Sequence, residues 1–185
     1  MIRIHIKQKC KTILEETKMN DAKFRKLVLA ALFAALCTVM TMVIQVPSPM
    51  EGYVNLGDCA VLLSAWILGP WFGGAAAGIG SMIADLLSYP HYAPGTLVIK
   101  FAMAFVAGLL FKAMQERKLT AQIASGIVAE VIMILGYFGY ASLLLGKGLA
   151  AAASIPGNIV QGVFGIVAAV VVYAILDRSH ALARA

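Results

Sequence analysis

The sequence is poor in charge. Only 13% of its 185 residues are Asp, Glu, Lys or Arg, about half the share usual in soluble domains. Hydrophobic residues make up 61%, and the mean hydropathy is +0.87. A soluble globular domain is thereby excluded, and an integral membrane protein remains. Cysteine is scarce: Cys10, Cys37 and Cys59 make no disulfide framework, because the first lies in a basic tail and the second inside an apolar run. No GxxxxGK[ST] phosphate loop occurs, since Gly146-Lys147 lacks both the upstream glycine and the following Ser or Thr, so the chain does not itself hydrolyse ATP. HExxH and GxSxG are absent and no pair of catalytic groups stands out, which argues against an enzyme, and no cofactor is expected. His91 has no second His or Cys at ligand spacing, so no metal site is expected. The net charge of +6 is not arranged as a basic stripe interleaved with aromatics, which speaks against a nucleic-acid partner. The first twenty residues lack the apolar core and cleavage site of a signal peptide, and Met19 is an alternative start.

What is present is a series of apolar runs with basic residues at their ends. Lys and Arg gather in the tail from Arg3 to Lys26, in the connection from Lys112 to Lys118, and at Arg178 and Arg184; only Lys100 and Lys147 fall on the other side. The positive-inside rule then places both termini in the cytoplasm of a multi-pass prokaryotic plasma-membrane protein. Residues 1–26 read as a basic cytoplasmic tail, 27–177 as a membrane domain of six helices, and 178–185 as a short cytoplasmic tail. The six segments run from about Leu27 to Gln45, Cys59 to Leu68, Phe72 to Leu87, Thr96 to Met114, Ala121 to Leu144 and Ile159 to Leu176. The class is all-α, with lipid as solvent. Trp66 and Trp71, beside the uncharged turn at Gly69-Pro70, read as interface-belt residues.

In the first segment Ala30 and Ala34, and Ala31 and Ala35, are each four apart and form two small ridges. Such ridges serve packing inside the bundle or the approach of a partner helix. Between the first two segments, residues 46–58 carry Glu51 and Asp58 but no Lys or Arg, so they lie outside. An exposed loop of this kind is usually only a connector, yet a length near a dozen residues is above the median and is more often found in lids and binding loops.

Polar residues converge at the outer side. Asp85 and Lys100 each sit about 5 Å inside an apolar segment at matching depth, so they can pair, either as a structural tie between two helices or as ligand contacts. Tyr137, Asn158 and Gln161 occupy the outer halves of the last two segments. Tyr53, Asn55 and Asp58 come from the outer loop, and Tyr92 from the turn between segments three and four, where belt duty is its other reading. Glu130, near mid-membrane, must be protonated, paired or turned to a polar cavity, because an unpaired carboxylate there is costly. Together these residues outline an outward pocket with aromatic walls and a few placed polar groups, as small-molecule sites have. The lack of arginine clusters outside argues against a polyphosphate and for a flat, neutral or weakly charged heterocycle. Of Asp85 and Lys100, Lys100 is the better ligand candidate and Asp85 its expected positioning partner.

The run from Gly52 to Lys100, above all NLGD at 55–58 and YPHYAPGTLVIK at 89–100, resembles the substrate-binding S components of energy-coupling factor (ECF) vitamin transporters, in the riboflavin-type branch that includes hydroxymethylpyrimidine- and pyridoxine-like carriers. The similarity covers about Lys26 to Asp177. It implies a six-helix bundle that captures a B vitamin or vitamin precursor from outside and docks on a transmembrane coupling subunit driven by two cytoplasmic ATPases. It also implies that Ala30, Ala31, Ala34 and Ala35 form the docking face and that Asn55, Lys100, Tyr137 and Asn158 lie at the ligand pocket. The rival reading from the residues alone is a stand-alone secondary transporter or channel with Asp85, Lys100 and Glu130 as an ion relay.

Overall fold

The structure is a computed structural model that describes residues 2–48, 52–114 and 118–179, with backbone alone for 2–20, 22, 48 and 52. The side chains of Cys10, Glu51 and Arg184, and the basic side chains before residue 21, lie outside what is described. Six α-helices follow in order: α1 Ile2–Val43, α2 Gly57–Leu68, α3 Pro70–Ser88, α4 Ala93–Ala113, α5 Lys118–Gly139 and α6 Ile155–Arg178. A π-turn (Tyr140–Leu144) and a 3₁₀ segment (Gly148–Ser154) join α5 to α6. Between α1 and α2 a short antiparallel hairpin pairs β1 (Gln45–Ser48) with β2 (Gly52–Asn55), Val46 opposite Val54 and Pro47 opposite Tyr53.

Helices α3, α4 and α6 begin two to four residues before the expected starts. Each carries a proline in its first turn, Pro70, Pro94 and Pro156. Proline lacks the N–H that a first turn leaves unpaired, and its φ suits the helix, so there it opens a helix where elsewhere it would end one. The outer loop carries a hairpin, which the all-α expectation did not include, and Pro47 is tolerated because a two-stranded ribbon consists only of edges.

Among the described residues, four helical stretches are long and apolar enough to cross a bilayer: Lys23–Val43, Ala93–Ala113, Lys118–Leu144 and Gly148–Arg178. Of the other two helices, α3 packs on α1, α2 and α4 and turns Ile79, Ile83, Leu86 and Leu87 outward, while α2 forms the inside of the bundle. Helix α2 has 12 residues, all buried but Ile67, and it packs against α1, α3, α4 and α6. Surrounded by protein, it needs neither the length nor the lipid-facing stripe of a span. Trp66 follows it inward: it is 5% exposed, its indole N–H donates to Ser125 Oγ at 3.0 Å, and its ring meets Tyr173 edge-on. It is therefore a core residue and not part of an interface belt, whereas Trp71 is exposed.

Glycine lets α3 lie close to its neighbours. A Cβ on Gly80 would overlap the Ala34 carbonyl of α1, and beside it Thr38 Oγ1 donates to the Gly80 carbonyl at 2.8 Å. Because that obstacle is backbone, Gly80→Val should push α1 from α3 and destabilise the fold by about 1–3 kcal/mol or more. Thermal unfolding in detergent checks this; an unchanged midpoint would mean that the two helices are not in tight contact.

Candidate functional site

The outer ends of the helices and the hairpin enclose a cleft of about 590 Å³, its open mouth included. Eight of the ten expected ligand residues line it: Tyr53, Asn55, Asp85, Tyr92, Lys100, Tyr137, Asn158 and Gln161. Thr41, Ser81, Thr96, Ala141 and Ser154 complete the wall. The hydroxyls of Thr41, Ser81, Thr96 and Ser154 carry no signal in the sequence, because a lone Ser or Thr in an apolar run is ordinary helix packing. Ala141 reaches the wall from the π-turn, a bulge type that often marks functional sites and that local periodicity does not reveal.

The other two expected residues, Asp58 and Glu130, stand behind the wall. Asp58, wholly buried at the start of α2, has a carboxylate favoured by the positive end of that helix. Lys100 of α4 donates from its ammonium to Asp58 Oδ1. Gln161 Nε2 of α6 donates to Asp58 Oδ2 at 2.6 Å, and Gln161 Oε1 accepts the backbone N–H of Asn55 in β2 at 2.8 Å. One carboxylate thus ties α2, α4, α6 and the hairpin together. The expected Asp85–Lys100 pair is not formed: Lys100 takes Asp58 instead. Matching depth along two helices does not suffice, because a pair also needs the two side chains to point at each other, and rotation about the helix axis is invisible to counting along it.

Asp85 of α3 accepts from the hydroxyls of Tyr53 and Thr96, and Thr96 Oγ1 also shares a hydrogen bond with the Tyr137 hydroxyl at 2.9 Å. Tyr53 stacks on Tyr89, just past the end of α3, with centroids 4.9 Å apart, so the hairpin is fastened to α3 by a hydrogen bond and to the turn after it by a ring contact. Burial, and then the nearby Asp85 charge, push the Tyr53 hydroxyl well above its ordinary range, so it remains a donor. The sign follows from linkage: above about pH 10 the unfolded chain has given up this proton while the folded one keeps it, so stability falls as pH rises further. Tyr53→Phe should remove its contribution to that alkaline loss, as thermal unfolding against pH would show; an unaltered profile would mean that the hydroxyl is not held inside.

Glu130 of α5 is 5% exposed, and neither of its oxygens has a hydrogen-bond partner among the described residues. It lies against Gly162 and Gly165 of α6, and a Cβ on Gly165 would meet Asp58 Cβ at 2.8 Å and Glu130 Oε1 at 3.5 Å. It therefore adjoins the Asp58 network without reaching the cleft. At the mouth, Lys147 Nζ lies 5.4 Å from the centre of the Tyr92 ring, and the Tyr140 hydroxyl donates to the His91 carbonyl at 2.9 Å.

The two alanine ridges of α1 face differently. Ala30 is buried against Leu68 and Ala76, Ala34 packs partly buried in the same cluster, and Ala31 and Ala35 are exposed. Helix α3 already covers the first ridge, so of the four alanines expected at a docking face only Ala31 and Ala35 are exposed.

Residues 21–178 match the family of the ECF-type riboflavin transporter, S component. The chain belongs to this family. As an S component it is the substrate-binding subunit of a vitamin transporter, a membrane transport protein and not an enzyme. Over 133 residues it is 41% identical to a Pyrococcus woesei protein described as an uncharacterized protein in the gap 3′ region, covering 70% of this chain and 86% of that one. It is 25% identical over 167 residues to the thiamine precursor transporter HmpT of Lactococcus lactis subsp. cremoris (strain MG1363), covering 89% of this chain and 95% of the relative. A solved S component of a bacterial ECF transporter shares the fold at a TM-score of 0.66 with 20% identity, over 84% of this S component and 97% of the solved chain.

Proposed function

We propose that this S component captures a small, flat nitrogen heterocycle, a vitamin precursor of the hydroxymethylpyrimidine class with pyridoxine next and the larger riboflavin last, and delivers it through a transmembrane coupling subunit driven by two ATPases. The observation that carries the reading is the make-up of the cleft wall. Three tyrosines offer flat faces, and Thr41, Ser81, Thr96, Asn55 and Asn158 offer neutral donors and acceptors. The wall contains no arginine, the side chain best suited to holding a phosphate. The likeness to a thiamine precursor transporter supports the same class. On the outside of α1, Ala31 and Ala35 are the proposed contact for the coupling subunit, since small residues let helix backbones approach.

Native mass spectrometry of the purified protein should reveal one co-purifying heterocycle. Titrating the stripped protein with B vitamins and their precursors should change tyrosine fluorescence at micromolar concentrations or below, through Tyr53, Tyr92 and Tyr137. No response to any of these compounds would sink the proposal.

A further inference from the structure

Two charged residues line the cleft, Asp85 and Lys100, and their electrostatic situations are opposite. Lys100 is 3% exposed, and its ammonium is already held by the Asp58 carboxylate. Asp85 is buried to the same degree, yet neither Lys100–Asp58 nor Lys118–Asp177 includes it, and among the described residues no cation stands at ion-pair distance from it. Its partners are neutral hydroxyls, Tyr53 on Oδ1 and Thr96 on Oδ2. A carboxylate has about four lone-pair sites, so each oxygen keeps one to offer. A buried carboxylate with no counter-charge is expensive, and the open side from which one can arrive is the cleft. A second group there is also unsatisfied. The Oγ of Ser81 is buried with no hydrogen-bond partner among the described residues, whereas Ser64, Ser125 and Ser154 all donate to the carbonyl three residues back.

We infer that Asp85, and not Lys100, is the charged group that recognises the ligand, and that the ligand is an N-heterocycle presenting an N–H donor or a protonatable ring nitrogen to Asp85 within reach of Ser81. This deepens the reading of the S component as a carrier of small heterocycles and rests on it. Such a nitrogen supplies the donor, and when protonated the counter-charge, that Asp85 lacks. A ligand carrying a carboxylate or phosphate meets repulsion from Asp85 and finds Lys100 already neutralised. Lys100 acts as a positioning residue: its place in the wall is set by Asp58, and its ammonium lies 5.6 Å from the centre of the Tyr137 ring.

Isothermal titration of the full chain in detergent tests this with three probes: 4-amino-5-hydroxymethyl-2-methylpyrimidine, the analogue with methyl in place of the amino group, and the phosphate ester of the first. The wild type should bind the amine at least about 10-fold more tightly than the methyl analogue, as loss of a hydrogen bond to a charged group entails, and should bind the phosphate ester still more weakly. Asp85→Asn should weaken the amine by a similar factor and level the three affinities. If Asp85→Asn does not fold, the wild-type series alone decides. Equal binding of amine and methyl analogue, or a phosphate ester that binds as tightly as the amine, would overturn the role of Asp85 and leave the substrate class standing. Failure of all three probes to bind would overturn the substrate class, and the inference with it.

Discussion

Asp58→Ala should unfold or severely loosen this protein, with a loss of about 3–5 kcal/mol, the range for breaking a buried ion pair from one side. The substitution leaves Lys100, 3% exposed, as an uncompensated cation and also removes the acceptor of Gln161 Nε2. Once Gln161 is free to turn, the hairpin loses its bond at Asn55, so ligand capture should fail along with stability. The double variant Asp58→Leu/Lys100→Met separates the two effects. Replacing both charges with apolar groups is often close to neutral for stability, so its unfolding midpoint should return most of the way to wild type. Ligand affinity should not return, because the ties to α6 and the hairpin are still missing. A single Asp58→Ala variant with the wild-type midpoint would show that the pair contributes little to the fold.

Ala31→Trp should reduce vitamin uptake by cells to background while leaving ligand binding by the purified protein within about 2-fold of wild type. Residue 31 is exposed on α1, about 15 Å along the helix from Thr41, the cleft residue of α1, so a large ring there blocks the approach of a partner helix and leaves the cleft intact. Ala30→Trp makes the contrast. Ala30 is 8% exposed and packed against Leu68 and Ala76, so a ring there should destabilise the bundle, as overpacked cores do. Uptake and co-purification of the coupling subunit measure the first effect, and thermal unfolding the second. Normal uptake by Ala31→Trp would remove the exposed ridge from the docking surface.

Much of the site was legible because its residues are unusual where they stand. Asp85, Lys100, Asn158 and Gln161 are polar interruptions of apolar runs, and a membrane segment carries such residues only for a reason. Their heights could be counted, since a helix rises steadily with residue number. The hydroxyls at Thr41, Ser81 and Thr96 were missed on the same logic: a Ser or Thr in a membrane helix ordinarily bonds its own backbone and draws no notice. Only the neighbouring elements show that Ser81 does not.

The sequence by itself determined that the chain belongs in a membrane, where most of its helices run, and that its polar groups cluster at one end, because hydropathy and residue rise are local properties. Which carboxylate receives Lys100 was decided by the tertiary structure. The bundle encloses the short helix α2 and brings its first turn to α4, so that Asp58 outcompetes Asp85, and Asp85 is left facing the cleft without an ion-pair partner among the described residues. Charge pairing depends on how helices are rotated and stacked, and that follows from packing contacts among residues distant in sequence.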